Sequence, residues 1–161
     1  GRYPLKETLA GFQVLVRDGL IKAWGVSNFD AGDMEELAAL PGGDAVATNQ
    51  VLYNLIRRGI EADLIPWCRL RGIPIMAYSP VEQGRILRDG ALARVAARHG
   101  AAPAQVALAW LLRHKDMMVI PKATNAAHVR ENRAAVDLAP THADLAELDG
   151  AFPAPRGARP A

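Results

Sequence analysis

Leu20-Ile21-Lys22-Ala23-Trp24-Gly25-Val26 is a short apolar stretch that runs straight into Ser27-Asn28, two side chains able to hydrogen-bond. Such a run suits a buried strand, and its polar exit points to chemistry at the strand's carboxyl end. Upstream, Pro4 to Gly19 predicts a helix. Leu5, Leu9, Phe12, Leu15 and Val16 recur at helical spacing, Pro4 suits the first turn and Gly19 suits a C-terminal cap. Downstream, Asp30 or Asp33 can cap a helix to Leu40, which Pro41-Gly42-Gly43 stops.

The phrase then repeats. Ala45 to Asn49 predicts a strand and Gly59 to Arg71 a helix. Ile73 to Tyr78 predicts another strand, with Pro74 an awkward member because it lacks an N–H to pair. Helices follow near Ala91 to His99 and from Pro103 to His114, then a fully apolar strand, Met117 to Ile120. Ala126 to Ala135 is helical in pattern, and Thr141-His142-Ala143-Asp144 resembles a capping box that opens a last helix. Residues 153–161, rich in Pro and Arg, suit a loose tail.

Alternating strands and helices imply parallel strands with crossover helices. No G-x-G-x-x-G or G-x-x-x-x-G-K-[ST] is present, so Rossmann and P-loop readings lack their phosphate loops. The polar residues instead follow the strands, at Ser27-Asn28, Gln50, Tyr78-Ser79 and Lys122. In a (β/α)₈ barrel of the TIM type such positions converge on one mouth. Four strand–helix phrases make about half of one. The helical pattern begins almost at Gly1, without a lead-in, which also leads us to expect a piece of a larger fold.

Composition narrows the function. Half the residues are hydrophobic and 22% are charged, a globular balance, and no apolar run reaches a membrane span. A net charge of +2 with dispersed arginines and few aromatics argues against nucleic acid as a partner. The single cysteine, Cys68, excludes an internal disulfide and suits a reducing, cytoplasmic setting; its apolar surroundings suggest core packing.

Gly25-Val26-Ser27-Asn28-Phe29, Asn49-Gln50-Val51-Leu52-Tyr53-Asn54, Ala77-Tyr78-Ser79-Pro80, Ile120-Pro121-Lys122 and Val129-Arg130-Glu131-Asn132 occur in this order. Together they resemble the second half of the aldo-keto reductases, NADPH-dependent carbonyl reductases on a (β/α)₈ barrel. The resemblance runs from about Pro4 to Phe152, so residues 1–152 are expected to form the carboxyl-terminal half of such a barrel.

The resemblance implies roles. Ser27, Asn28 and Gln50 would hydrogen-bond the nicotinamide carboxamide, whose carbonyl and amino groups they can complement. Tyr78 would stack on the ring with its hydroxyl in solvent at the mouth. Ser79, Gln83 and Arg85, with backbone N–H groups and a permissive Gly84, would pass the pyrophosphate; a solvated turn explains that segment equally well. Lys122, just ahead of Thr124 and Asn125 that open a helix, would meet the 2′-phosphate of NADP, with Thr124 a further cofactor-binding candidate. Glu131 and Asn132 would hold the adenine amino group. His128 stands where arginine is frequent and Ala123 where serine is common, so NAD remains possible beside NADP.

A further expectation concerns absence. The family's proton-donating tyrosine, with its lysine, aspartate and histidine, belongs to the first half of the barrel, so no catalytic residue is assigned here and no metal ligands are expected. Tyr3, Tyr53 and Tyr78 are poor substitutes. His99 and His114 close helices, where partly charged imidazoles suit the dipole. Trp24 and Tyr53 are the local candidates for an aromatic substrate wall, or else core. The parent protein would reduce aldehydes or ketones, with a small carbonyl compound and the amino-terminal half as partners. The rival reading is a non-catalytic nucleotide-binding or channel-type regulatory subunit on the same barrel.

Overall fold

Pro4 opens the first helix, α1 (Leu5–Arg17), in a computed structural model that describes residues 4–155. Leu9 is buried and Phe12 stacks on Trp24, with ring centroids 5.4 Å apart. Gly19 takes φ of 70°, and Leu20 and Ile21 both donate to the Leu15 carbonyl, which turns the chain towards the sheet. The expected strand from Leu20 to Val26 shrinks to β1 (Val26–Ser27). Its pairing begins only where the Trp24 carbonyl and the Val26 N–H meet Ala47 and Thr48, so an apolar run became a strand only where it had a partner.

Asp30 caps α2 (Ala31–Ala38) as expected, and Asp33 answers it in a reciprocal capping box. The next strand is displaced from its expected position. Gly43–Ala45 is a 3₁₀ turn, and β2 runs from Asn49 to Leu52 rather than from Ala45 to Asn49. Gln50 therefore lies within the strand instead of after it. The helix expected over residues 59–71 divides into a 3₁₀ turn, Gly59–Glu61, and α3 (Leu64–Leu70), capped by Asp63. In β3 (Ile75–Tyr78) Pro74 falls just before the strand; its carbonyl accepts from Thr48 Oγ1 at 2.8 Å, so only the absent N–H is forgone.

The remaining elements are α4 (Gly90–Arg98), α5 (Pro103–Leu112), β4 (Met117–Val119), α6 (Ala126–Ala134) and α7 (His142–Ala151). The Thr141/Asp144 capping box forms as expected. All neighbouring strands are parallel, in the order β1-β2-β3-β4. Of the expected tail, Pro153 to Pro155 carry no regular structure and the rest lies outside the described residues, as does Tyr3.

The two sheet faces differ. Val51, Ile75, Ala77 and Met117 are buried against helices, above all α5, in which Val106 to Leu111 are buried on every side. On the other face, register aligns Ser27 with Gln50, Met76 and Met118, and Leu52 with Tyr78. Met118 is 39% and Ile120 42% exposed, which shows how open that face is. The fold is a four-stranded parallel sheet with one face buried against helices and, among the described residues, an open opposite face, the form of a partial (β/α) barrel.

Two ionic networks tie α7 down. Asp144, almost fully buried, accepts from Thr141, Arg98 and His99, the last at 2.7 Å. The His99 hydrogen bond, with those from Thr141 and Arg98, outweighs burial and holds the carboxyl well below the usual range. A depressed carboxyl pKa contributes stability above the unfolded value and loses it as pH falls through the folded one. Asp144→Asn should therefore cost about 2 kcal/mol at pH 7, measured by urea unfolding. That penalty should shrink below about pH 4; a constant penalty down to pH 3 would show that shape, not charge, matters there.

The second network joins Arg58, Glu61, Asp149 and Tyr53 behind β2. Cys68 is buried, as expected of a core residue, and burial pushes its thiol up to about 11.

Candidate functional site

Parallel pairing brings the carboxyl ends of all four strands to one rim, and Ser27, Gln50 and Tyr78 lie on the paired strands that lead to it. Ser27 and Gln50 stand side by side in register, and Ser27 Oγ donates to the Gln50 carbonyl at 2.9 Å. Gln50 Nε2 lies 3.0 Å from Met76 Sδ, which leaves Oε1 unbonded by any described residue. Asn28, with φ of 58°, leaves β1 in the left-handed region that asparagine tolerates better than most residues.

Tyr78, two residues further towards the rim than Gln50's row, keeps its hydroxyl at an exposed position, as expected, and also gives it a protein partner. It donates to Asn28 Oδ1 at 3.0 Å, bridging the ends of β1 and β3. Asn28 Nδ2 has no bond to a described residue. The arrangement therefore offers a free amide donor and a free amide acceptor beside an aromatic ring, a set that fits a flat ring bearing a carboxamide.

Further along the rim, Ser79 and the following turn carry Gln83 and Arg85, both exposed. Two of the turn's N–H groups, expected to be open to an anion, are consumed internally: Glu82 donates to Ser79 O and Gly84 to Val81 O. Lys122 is exposed three residues beyond β4. Thr124 is exposed beside it, and Asn125 caps α6 by accepting from the His128 N–H at 2.8 Å. His128 Nδ1 lies 3.3 Å from Asn125 Nδ2, so the imidazole is turned towards the cap. Glu131 is exposed and Asn132 half-buried on the same helix.

Burial decides three readings: Tyr53 and Trp24 take the core alternative, and His114 departs from expectation. Tyr53 is no part of a mouth wall; it is fully buried behind the sheet, donating to Glu61 Oε1 at 2.7 Å. Trp24 is likewise buried, forming with Leu5, Leu9, Phe12 and Leu37 an apolar cleft of about 200 Å³ that meets the site only at Ser27. His114 is not partly charged: burial, joined by Arg113 and Arg69, pushes its pKa down to about 4. His99 does close α4, although its ring serves Asp144.

Residues missed by the sequence reading are Asn54, Arg57 and Glu82. They bond to one another and to Ser79 at the base of the turn. Only Asn54's place at the end of its motif and Glu82's inside that turn hinted at them. Met76 was also missed; an apolar residue on a strand gives no sign of which face it occupies.

The class defined by this fold is the (β/α) barrel, present in part. The chain belongs to the aldo/keto reductase family, whose model matches residues 1–152. It is 48% identical to methylglyoxal reductase YeaE of Escherichia coli (strain K12), over 98% of this chain and 57% of that protein. It is 33% identical to a glyoxal reductase of Bacillus subtilis (strain 168), over 92% of this chain and 52% of that protein. A crystal structure of an aldo-keto reductase from Klebsiella pneumoniae in complex with NADPH superposes with a TM-score of 0.91 at 44% identity, covering 97% of this chain and 57% of that one. Another from the same organism, with NADP and acetate, gives 0.92 at 43% identity, over 100% and 58%. The chain thus spans little more than half the length of these relatives.

Proposed function

We propose that this chain is the carboxyl-terminal, cofactor-holding half (residues 1–152) of an NADPH-dependent aldo-keto reductase that reduces small aldehydes or ketones. The observation that carries the reading is the pairing of Ser27 with Gln50 and of Asn28 with Tyr78, which leaves one amide donor and one amide acceptor free beside the Tyr78 ring. In that reading Ser27, Asn28 and Gln50 hold the carboxamide and Tyr78 lies against the ring, and the bond between Asn28 and Tyr78 keeps both at a set separation. When bound, the nicotinamide would supply a hydride to the substrate carbonyl, while the protein supplies position and polarity.

Charge sets the direction in which the cofactor lies. Asp33 and Glu36 line the groove of about 700 Å³ that also holds Ser27 and Asn28, which disfavours phosphate there. Arg85, in the turn after β3, and Lys122, which follows β4 at the opposite edge of the sheet from β1, are exposed cations where phosphate is welcome. Ser79, Gln83 and Arg85 would face the pyrophosphate, Lys122, Thr124 and His128 the 2′-phosphate, and Glu131 and Asn132 the adenine. The methylglyoxal and glyoxal reductases among the relatives make methylglyoxal the first substrate to assay.

The test uses a completed barrel, this chain joined to the amino-terminal portion that its relatives carry. Lys122→Ala should weaken NADPH roughly ten- to a hundredfold, the equivalent of one charged hydrogen bond, and leave NADH nearly unchanged. The salt dependence of NADPH binding should fall in parallel. Equal losses for both cofactors in a fluorescence titration would remove Lys122 from the 2′-phosphate.

A further inference from the structure

The turn after β3 adopts a backbone that its residues do not favour. Ser79, Glu82 and Gln83 have φ of 49°, 45° and 56°, followed by 87° at Gly84. Only the last is a glycine. For the other three, the side chain crowds the backbone in this left-handed region, so surrounding structure must hold them there.

The holding groups come from the segment that leaves β2. Asn54 is fully buried, and its Nδ2 donates to the Ser79 carbonyl at 2.9 Å and to Glu82 Oε2 at 2.7 Å. Its Oδ1 accepts from the N–H groups of Ile56 and Arg57, both at 3.0 Å, which leaves the amide only one workable orientation. Arg57 then reaches the second oxygen of Glu82, with Nε at 3.3 Å and its terminal nitrogen at 3.1 Å. Each carboxylate oxygen of Glu82 thus has its own partner from the β2 exit. Burial pushes the Glu82 carboxyl up, but these donors outweigh it and hold the pKa below the usual range.

We propose that Asn54, Arg57 and Glu82 form a clamp that sets the shape of the 79–85 turn and so presents it to the cofactor pyrophosphate. They are positioning residues, acting through Ser79, Gln83 and Arg85. The inference rests on the cofactor reading above. It carries a distinctive consequence: the pyrophosphate is common to NADPH and NADH, so loosening the clamp weakens both alike, unlike removal of Lys122.

The experiment uses the completed barrel. Glu82→Gln keeps the shape but offers one acceptor oxygen to two donors. It should raise the Kd of NADPH and of NADH by the same factor, about tenfold, and speed hydrogen exchange across residues 79–85 in the cofactor-free protein. Glu82→Gly relieves the backbone crowding while removing the clamp, and it should also weaken both cofactors. Binding as tight as wild type in Glu82→Gly would mean that the turn shapes itself, and the clamp would be wrong. A loss confined to NADPH, or unchanged exchange in Glu82→Gln, would overturn it too. Arg57→Gln alters an exposed side chain and leaves Asn54 in place, so it should fold even if the Glu82 variants do not. It should weaken both cofactors about threefold, and no change would count against the clamp. Should the wild-type barrel bind neither cofactor, the functional reading falls, while the exchange measurement still decides the clamp.

Discussion

Purified chain, assayed with NADPH and 4-nitrobenzaldehyde or methylglyoxal, is expected to oxidise no cofactor above the buffer rate. Hydride delivery to a carbonyl builds negative charge on oxygen, which needs a positioned acid. The described tyrosines cannot serve. Tyr53 is buried behind the sheet, and burial together with the Glu61 carboxylate raises its hydroxyl well above the usual phenol range. Tyr78 spends its proton on Asn28 Oδ1. The two buried or half-buried histidines are committed as well, His99 to Asp144 and His114 to the Tyr53 network. A general acid contributes ~10²–10⁴-fold, and the open sheet face would also admit water. Joining the amino-terminal portion should restore turnover. Turnover by the chain alone, abolished by Tyr53→Phe or Tyr78→Phe, would place the acid within it and overturn the proposed division of labour.

Arg58→Ala should be the most destabilising single replacement among the ionic residues, at about 3–5 kcal/mol in urea unfolding of the completed barrel. Arg58 is buried and grips Glu61 with two bonds, at 2.9 and 3.0 Å. It also donates to Asp149 at 2.8 Å and to the Phe152 carbonyl at 2.7 Å, and its guanidinium lies 5.0 Å from the Trp110 ring centroid. Its removal would strand the Glu61 carboxylate, whose side chain is only 14% exposed, and unpin the end of α7. The cost comes from leaving the Glu61 carboxylate without its counter-ion, with only the Tyr53 hydroxyl still bonded to it. Arg58→Met with Glu61→Gln, in which the amide oxygen can still accept from Tyr53, should therefore cost less than the sum of the single changes. A loss under 1 kcal/mol for Arg58→Ala would mean that the network is solvated and contributes little.

Much was legible in the sequence because it is local. Asp30 and Thr141 announce helices through side chains that bond N–H groups two or three residues away, and both caps form. The apolar periodicity of α1 and the wide apolar surface of α5 follow from which residues can leave water. The parallel order of the strands follows from their alternation with helices, and with it the gathering of Ser27, Gln50, Tyr78 and Lys122 towards one rim. The ordered motifs carried the family itself.

What tertiary structure decided are the matters that depend on partners distant in sequence. A strand exists only where a neighbour offers hydrogen bonds, so β1 kept only Val26 of the apolar run, with Ser27 beyond it, and β2 began four residues late. Which aromatic faces the open side depends on strand register: Tyr78 reached the rim, while Tyr53, in an equally plausible motif, was buried on Glu61. The neutrality of His114 follows from burial and from arginines brought beside it, not from its place near a helix end. The Asn54–Glu82 bond joins residues 28 apart and supports left-handed φ values that side chains at those positions do not favour. Local propensity and periodicity lie in the chain's own order; strain and its support exist only once distant segments meet.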